Sequence, residues 1–255
     1  MTQLPKAEKR LLELGITEPH EIELEPIALL EGVHVKYDEL KGCEARLIGV
    51  NDRAIVTIRD GIDERRKRFS LAHELGHWNC HRGRSFECRV DDLAEGYLSK
   101  PVEEKEADKY AADLLMPSYM FKPRAKSLKR PTFDSVIELS KIFNTSLTAT
   151  AIRLVDMNIW PLMIVCHTQQ RRTWFNRSPD IPIKWFPKNE VDADSIAFDR
   201  LFGDAERTRA QKIGADAWFD RFDAERYDIT EDAIRISRNE VLTLLWLEND
   251  GMLED

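Results

Sequence analysis

The chain has 255 residues, of which 42% are hydrophobic and 33% are charged, and its formal net charge is −8. That length is enough for one large domain or two small ones, and the negative charge argues against a protein that wraps nucleic acid, because phosphate binding needs a concentrated basic surface. The four cysteines form no C-x-x-C pair, so we expect no disulfide framework. The sequence has neither an apolar leader nor a run of about 18 apolar residues, so we expect a soluble cytoplasmic protein with no membrane span.

The N-terminal part of the chain predicts helices followed by strands. Apolar residues recur at helical spacing over residues 1–20 and again over residues 21–31. Three segments then predict strands, at residues 33–40, 45–50 and 54–59. The last of these, AIVTIR, alternates most clearly. We expect it to be an edge strand that holds an extended peptide by main-chain pairing, although an internal strand of a small sheet fits its pattern equally well.

Two longer helices are predicted next, over residues 63–80 and 101–115. Pro101 suits the first turn of the second helix, and Pro117 ends it. The stretch between the two helices, residues 83–100, is polar and weakly periodic, and we predict a loop there.

The rest of the chain predicts more helices and then a mixed region. Residues 131–157 predict two or three short helices with a helix-turn-helix rhythm. Beyond Trp160 the pattern changes to a hairpin, a mostly helical stretch over residues 194–224, and two final strands, DAIRIS and VLTLLWL. The whole chain therefore predicts the α+β fold class, with a boundary near residues 157–160.

The stretch His73-Glu74-Leu75-Gly76-His77 fits the pattern H-E-x-x-H. Residues four apart on a helix lie one above the other, with Cβ atoms about 5–6 Å apart. His73 and His77 can therefore bind one Zn²⁺ together. Glu74 lies next to the first of them, where it could take the proton of a water at the metal and so activate that water against a polarised carbonyl. The motif predicts a metallopeptidase.

Two more residues of this helix carry predictions. Gly76 costs about 1 kcal/mol of helix propensity relative to alanine, so we expect tight packing around it. His81 continues the four-residue spacing, but it lies about 12 Å along the helix from His73. That is too far for both to bind one tetrahedral ion, so we expect His81 to cap the helix or to support a ligand from outside.

A catalytic zinc ion needs a third protein ligand and an open fourth position. The second helix offers Glu103, Glu104 and Glu106. We choose Glu104, because Asp108 lies four residues further on the same face and could accept the N–H of a ligand histidine. Glu106 is the alternative third ligand. Mn²⁺ could occupy the same set of two histidines and one glutamate in place of Zn²⁺.

The combination of FSLAHELGHW (residues 69–78) and EEKEADKYAADLLMP (residues 103–117) resembles the ImmA/IrrE-type metallopeptidases, with similarity over about residues 33–157. The resemblance implies a thermolysin-like zinc fold of the gluzincin kind. That fold has a small sheet, the HExxH helix and a glutamate-bearing helix. The resemblance also implies the cleavage of a helix-turn-helix repressor, which would derepress genes of stress response, phage or mobile elements.

The same resemblance implies a set of roles for individual residues. His73, His77 and Glu104 would be the metal ligands, and Glu74 would be the base. Asp108 stands where the family more usually has asparagine, which is a modest departure from the pattern.

We therefore predict two domains. Residues 1–157 would form the ImmA/IrrE-like metallopeptidase domain, including the helix-turn-helix-like segment at about residues 131–157. Residues 158–255 would form a smaller C-terminal α+β domain, which could be a sensor or a docking surface and to which the sequence assigns no chemistry.

Two other functions fit parts of the sequence. The first is a DNA-binding regulator that uses the helix-turn-helix rhythm, but its second helix offers only Arg153 as a basic residue, so we expect no direct nucleic-acid binding. The second is a non-catalytic partner protein of the toxin–antitoxin type with a structural zinc ion. Glu74 argues against it, because a purely structural site does not need that carboxylate.

Overall fold

A computed structural model of the protein describes residues 4–82, 86–89, 101–203 and 209–254. The chain forms two compact units. The first unit comprises Met1–Pro123 with Ser140–Ser146, and the second comprises Arg124–Leu139 with Leu147–Asp255. The chain combines helices with two separate sheets, which confirms the α+β class. The predicted division of roles between residues 1–157 and 158–255 stays a prediction.

The elements follow one another in the order α1 (Lys6–Glu13), α2 (Leu24–Leu30), β1 (Val33–Asp38), β2 (Cys43–Val50), β3 (Arg53–Arg59), α3 (Glu64–Cys80), β4 (Phe86–Arg89), α4 (Val102–Leu115), α5 (Ser118–Lys126), α6 (Phe133–Phe143), α7 (Leu147–Asp156), β5 (Leu162–Thr168), β6 (Arg172–Arg177), α8 (Ile196–Phe202), β7 (Gln211–Gly214), β8 (Asp228–Ser237), β9 (Glu240–Trp246) and α9 (Asp250–Leu253). No helix among the described residues is both long and apolar enough to cross a bilayer.

Two stretches differ from the sequence-based prediction. Residues 83–100 were predicted as a loop, but Phe86–Arg89 form β4, and the remainder of that stretch lies outside the described residues. The helical prediction for residues 194–224 holds for α8 and for a short 3₁₀ helix at Ala215–Ala217, whereas Gln211–Gly214 form β7 and residues 204–208 lie outside the described residues. Both strands have four residues, which is too short for a readable alternation. Each forms because it pairs with a longer neighbouring strand.

The first unit contains a sheet with the strand order β1-β3-β2-β4. Strand β1 runs parallel to β3, whereas β2 is antiparallel to both β3 and β4. Residues 54–59 pair with β1 on one side and with β2 on the other. The expectation that AIVTIR is an edge strand is therefore wrong, because a strand paired on both sides has no free main-chain groups to offer a peptide.

Helix α3 packs against this sheet. Its start is capped by Asp63, whose carboxylate accepts hydrogen bonds from the N–H groups of Arg65 and Arg66. Near its end, Trp78 lies over Gly49 of β2, where a Cβ atom would come within 2.7 Å of the indole ring. Trp78 also donates its indole N–H to the carbonyl of Glu31. These contacts fix the position of α3, which bears the HELGH sequence, against the sheet.

The second unit contains an antiparallel sheet with the strand order β6-β5-β9-β8-β7. Aromatic side chains, among them Trp185 and Trp218, pack in its buried core. Helix α7 packs against β5 and β6, and Asp232 accepts the N–H of Phe133 at the start of α6. The start of α6 and the whole of α7 thus pack within the second unit.

The packing of α7 bears on the DNA-binding alternative. Arg153, the basic residue that a recognition helix would use, is only 6% exposed. A side chain so deeply buried cannot reach a base edge or a phosphate. The structure therefore weakens the DNA-binding alternative.

Candidate metal centre

Helices α3 and α4 cross very closely at Gly76. A Cβ atom at that position would lie 2.8 Å from both the Cα and the carbonyl oxygen of Ala107. The expected tight packing around Gly76 is thus confirmed, and its partner is backbone. This close approach allows the short carboxylate side chains of α4 to reach the histidines of α3.

Three side chains converge at this crossing. The Nε2 atoms of His73 and His77 are 3.1 Å apart. The carboxylate of Glu104 lies 3.1 Å from Nε2 of His73 through one oxygen and 3.3 Å from Nε2 of His77 through the other. Two ligand atoms bound to one tetrahedral zinc ion at 2.0–2.1 Å are about 3.3 Å apart. The three ligand atoms therefore have the spacing that such an ion requires.

Burial also favours a cation at this position. His77 is fully buried and His73 is 3% exposed, so water does not separate their facing nitrogens. Two imidazole nitrogens at this distance repel each other unless a cation lies between them, and either a proton or a metal ion can be that cation. In the part of the chain that the structure describes, this is the only group of at least three histidine, cysteine or acidic side chains close enough to hold a metal ion.

His73 is oriented from its other side by Asp108. Its Nδ1 lies 3.0 Å from Oδ1 of that carboxylate, which is the contact expected from the helix-face argument. When Nδ1 donates its proton to Asp108, the lone pair of Nε2 points at Glu104 and His77. A carboxylate in this position fixes the ring and makes the imidazole a better metal ligand.

In the metal-free site, burial and neighbouring groups shift the pKa values of all three candidate ligands. Burial lowers the pKa of His73, but hydrogen bonds to Asp108 and Glu104, together with the nearby charges of Asp108 and Glu74, outweigh burial and raise the pKa to about 9. Hydrogen bonds to His73 and then His77 hold the pKa of Glu104 well below its usual range. Burial lowers the pKa of His77. Near neutral pH, one proton, on His73, therefore competes with a metal ion.

This proton predicts how zinc binding depends on pH. His73 keeps its proton up to about pH 9, so the apparent zinc affinity should fall about tenfold for each pH unit below that value, or about 100-fold between pH 8 and pH 6. Competition with a chromophoric chelator, corrected for the chelator's own protonation, measures this slope. An affinity that stays constant between pH 6 and pH 8 would contradict the prediction.

The other residues named from the sequence have clear positions. Glu74 is fully buried on α3. Glu106, the alternative ligand, has its Oε2 atom 2.8 Å from Nε2 of His81. His81 is the C-cap residue of α3, as expected, and its Nδ1 lies 3.4 Å from Nδ1 of His77. This link between Glu106 and His77 is not predicted from the sequence, although the four-residue spacing of His77 and His81 indicates that those two side chains lie close together.

The way in which α3 and α4 cross is typical of one kind of enzyme. A helix with two histidines four residues apart is crossed by a helix that supplies a glutamate, which is the arrangement of a metal-dependent hydrolase. Residues 29–155 match the family model Peptidase_M78, described as the IrrE N-terminal-like domain. The chain belongs to this peptidase family, and the resemblance inferred from the sequence is confirmed.

The comparison with solved structures agrees at the level of fold. One match is a Mycobacterium tuberculosis transcriptional regulator, with a TM-score of 0.62 and 13% sequence identity, covering 94% of this chain and 74% of that one. At this identity the likeness shows a shared fold only. None of the curated proteins matches the chain by sequence.

Proposed function

We propose that the protein is a zinc-dependent endopeptidase. His73, His77 and Glu104 would hold the ion, and Asp108 would orient His73. The observation that carries the proposal is the convergence of three ligand atoms at 3.1–3.3 Å beside the buried carboxylate of Glu74. A zinc ion held there would supply Lewis-acid polarisation of a peptide carbonyl and would make a water molecule more acidic; Mn²⁺ could take its place.

Glu74 would carry the proton transfers. As the general base, its carboxylate takes a proton from the attacking water. It then gives a proton to the amine of the departing peptide, so that both products leave in stable protonation states. Its complete burial keeps bulk water from competing for that proton. A structural zinc site needs four protein ligands and no base, which argues against the non-catalytic alternative.

Two features support a thermolysin-like arrangement in particular. The histidine pair lies on a helix that packs against a small mixed sheet, and the glutamate ligand follows on the next helix of the chain. Glu104 follows His73 by 31 residues, and a glutamate ligand from the second helix is what the family resemblance implies for the gluzincin kind.

The substrate class that we propose is a helix-turn-helix repressor, cut in the cytoplasm to derepress genes of stress response, phage or mobile elements. The support is the family to which the chain belongs. The Mycobacterium tuberculosis protein of similar fold bears the name of a transcriptional regulator, which is compatible with a regulatory role.

Incubation with purified repressors tests this substrate class. The zinc-loaded protein should cut a helix-turn-helix repressor encoded beside its own gene at one or a few sites, and a chelator should prevent the cleavage. Gel electrophoresis and mass spectrometry of the fragments measure it. If an unfolded reference protein is cut while every such repressor stays intact, the substrate class is wrong although the peptidase activity stands.

For the second unit we propose a sensor or docking role. Two of its large apolar side chains, Ile183 and Phe222, are 78% and 86% exposed.

A further inference from the structure

We propose that His81 and Glu106 are positioning residues for His77. In this proposal they fix the proton on the outer nitrogen of His77, so that its inner nitrogen presents a lone pair to the metal. The inference rests on the proposed zinc site. It adds a second set of supporting contacts, which reaches His77 through two residues, whereas Asp108 contacts His73 directly.

The chain of contacts runs outward from the ligand group. Nε2 of His77 faces Nε2 of His73 at 3.1 Å and Glu104 at 3.3 Å. On the other side of the same ring, Nδ1 lies 3.4 Å from Nδ1 of His81, at the long end of hydrogen-bond distances. Nε2 of His81 then lies 2.8 Å from Oε2 of Glu106. Three groups in series thus lead from the site to an acidic residue.

The positions of the protons on the two rings give this series of hydrogen bonds one direction. A neutral imidazole carries a single N–H, so a lone pair at Nε2 of His77 requires the proton at Nδ1. That N–H needs an acceptor, and Nδ1 of His81 can accept only when His81 carries its own proton at Nε2. The carboxylate of Glu106 accepts a hydrogen bond from this Nε2–H group and cannot donate one. The acid therefore selects the tautomer of His81, and His81 selects the tautomer of His77.

All three acidic residues of this arrangement lie on helix α4. Helix α4 carries Glu104 as a ligand, and it also carries the two acids that end the supporting contacts, Asp108 for His73 and Glu106 for His77. The side chain of Glu106 is 55% exposed whereas that of His81 is 9% exposed. Solvent screens the charge of Glu106, so we assign the larger share of the effect to His81.

Zinc affinity of the full chain, measured by competition with a chelator, tests the proposal without any activity assay. His81→Leu should weaken zinc binding about 10- to 100-fold, as Asp108→Ala should on the other ligand. His81→Asn should recover part of the loss, because its amide oxygen lies as many bonds from Cα as Nδ1 does and can accept the N–H of His77. Glu106→Gln should weaken binding less than His81→Leu, and Glu138→Gln, at an exposed glutamate of α6, should leave it unchanged.

Two readouts separate positioning from a purely structural role. Thermal unfolding of the metal-free variants should show similar stability for His81→Leu and His81→Asn, although their zinc affinities differ. Long-range ¹H–¹⁵N spectra of the zinc-loaded protein should place the proton at Nδ1 of His77 and at Nε2 of His81. Unchanged affinity in His81→Leu, or equal loss in the leucine and asparagine variants, would overturn the inference. Absence of zinc binding in the wild type would instead overturn the proposed function.

Discussion

Replacing Glu74 with glutamine is expected to lower the rate of peptide-bond cleavage by about 10²- to 10⁴-fold, the usual contribution of a general base, while zinc stays bound. Glutamine fills the same volume in a fully buried position, but its amide cannot take a proton. The ligand atoms that we propose belong to His73, His77 and Glu104, so the metal content should not change. Single-turnover cleavage of a repressor substrate, with zinc quantified in the same samples, measures both quantities.

A matched control is available on the same helix. Glu64→Gln makes the same chemical change at an exposed glutamate in the first turn of α3, and it should leave both cleavage and zinc content unchanged. Cleavage at the wild-type rate by zinc-loaded Glu74→Gln would exclude the role proposed for Glu74. Loss of zinc in that variant would mean that Glu74 supports the ligand group and not only the proton transfer.

Gly76→Ala is expected to destabilise the protein and to weaken metal binding together. In an open helix this change stabilises by about 1 kcal/mol. Here the added methyl group would lie 2.8 Å from backbone atoms of Ala107, and backbone cannot swing aside as a side chain can. The helices must separate, at a cost of about 1–3 kcal/mol in the free energy of unfolding. Because α4 carries Glu104, zinc affinity should fall at least about tenfold, the minimum cost of losing one outer hydrogen bond.

Urea unfolding of the metal-free protein and chelator competition measure the two effects of this substitution. Arg65→Ala, in the first turn of the same helix, serves as the control and should change neither quantity by a comparable amount. Ala107→Gly should not rescue Gly76→Ala, since the clash involves the backbone of residue 107 and not its methyl group. If Gly76→Ala proved as stable as the wild type with full zinc affinity, the close crossing would not determine the site geometry.

Much of the candidate site could be predicted because its strongest features are local. The pairing of His73 with His77 follows from the helical repeat, and so does the placement of Glu104 and Asp108 on one face of α4. The excess cost of glycine at position 76 indicated a close contact before its partner was known. These are properties of single helices, and the structure retains them with shifts of about one residue at the helix ends.

Other features depended on partners that the local pattern does not contain. Residues 54–59 have the same alternation in an edge strand and in an internal strand, and only the pairing of β3 with both β1 and β2 shows which one they form. Strands β4 and β7 are short segments that exist through their neighbours. The helix-turn-helix rhythm likewise does not indicate that Arg153 is buried, because burial depends on the elements that pack around α7.

The pair of histidines, the adjacent glutamate and the family are predictable from the sequence alone, because they depend on spacing within one helix and on contiguous motifs. Which glutamate of α4 faces the histidines, and which one turns to His81, depends on how the two helices cross and is visible only once they are packed together. The atoms that meet at the site belong to residues 31 and 35 positions apart. Their distance is set by the contact of Gly76 with Ala107, which no periodicity within either helix specifies.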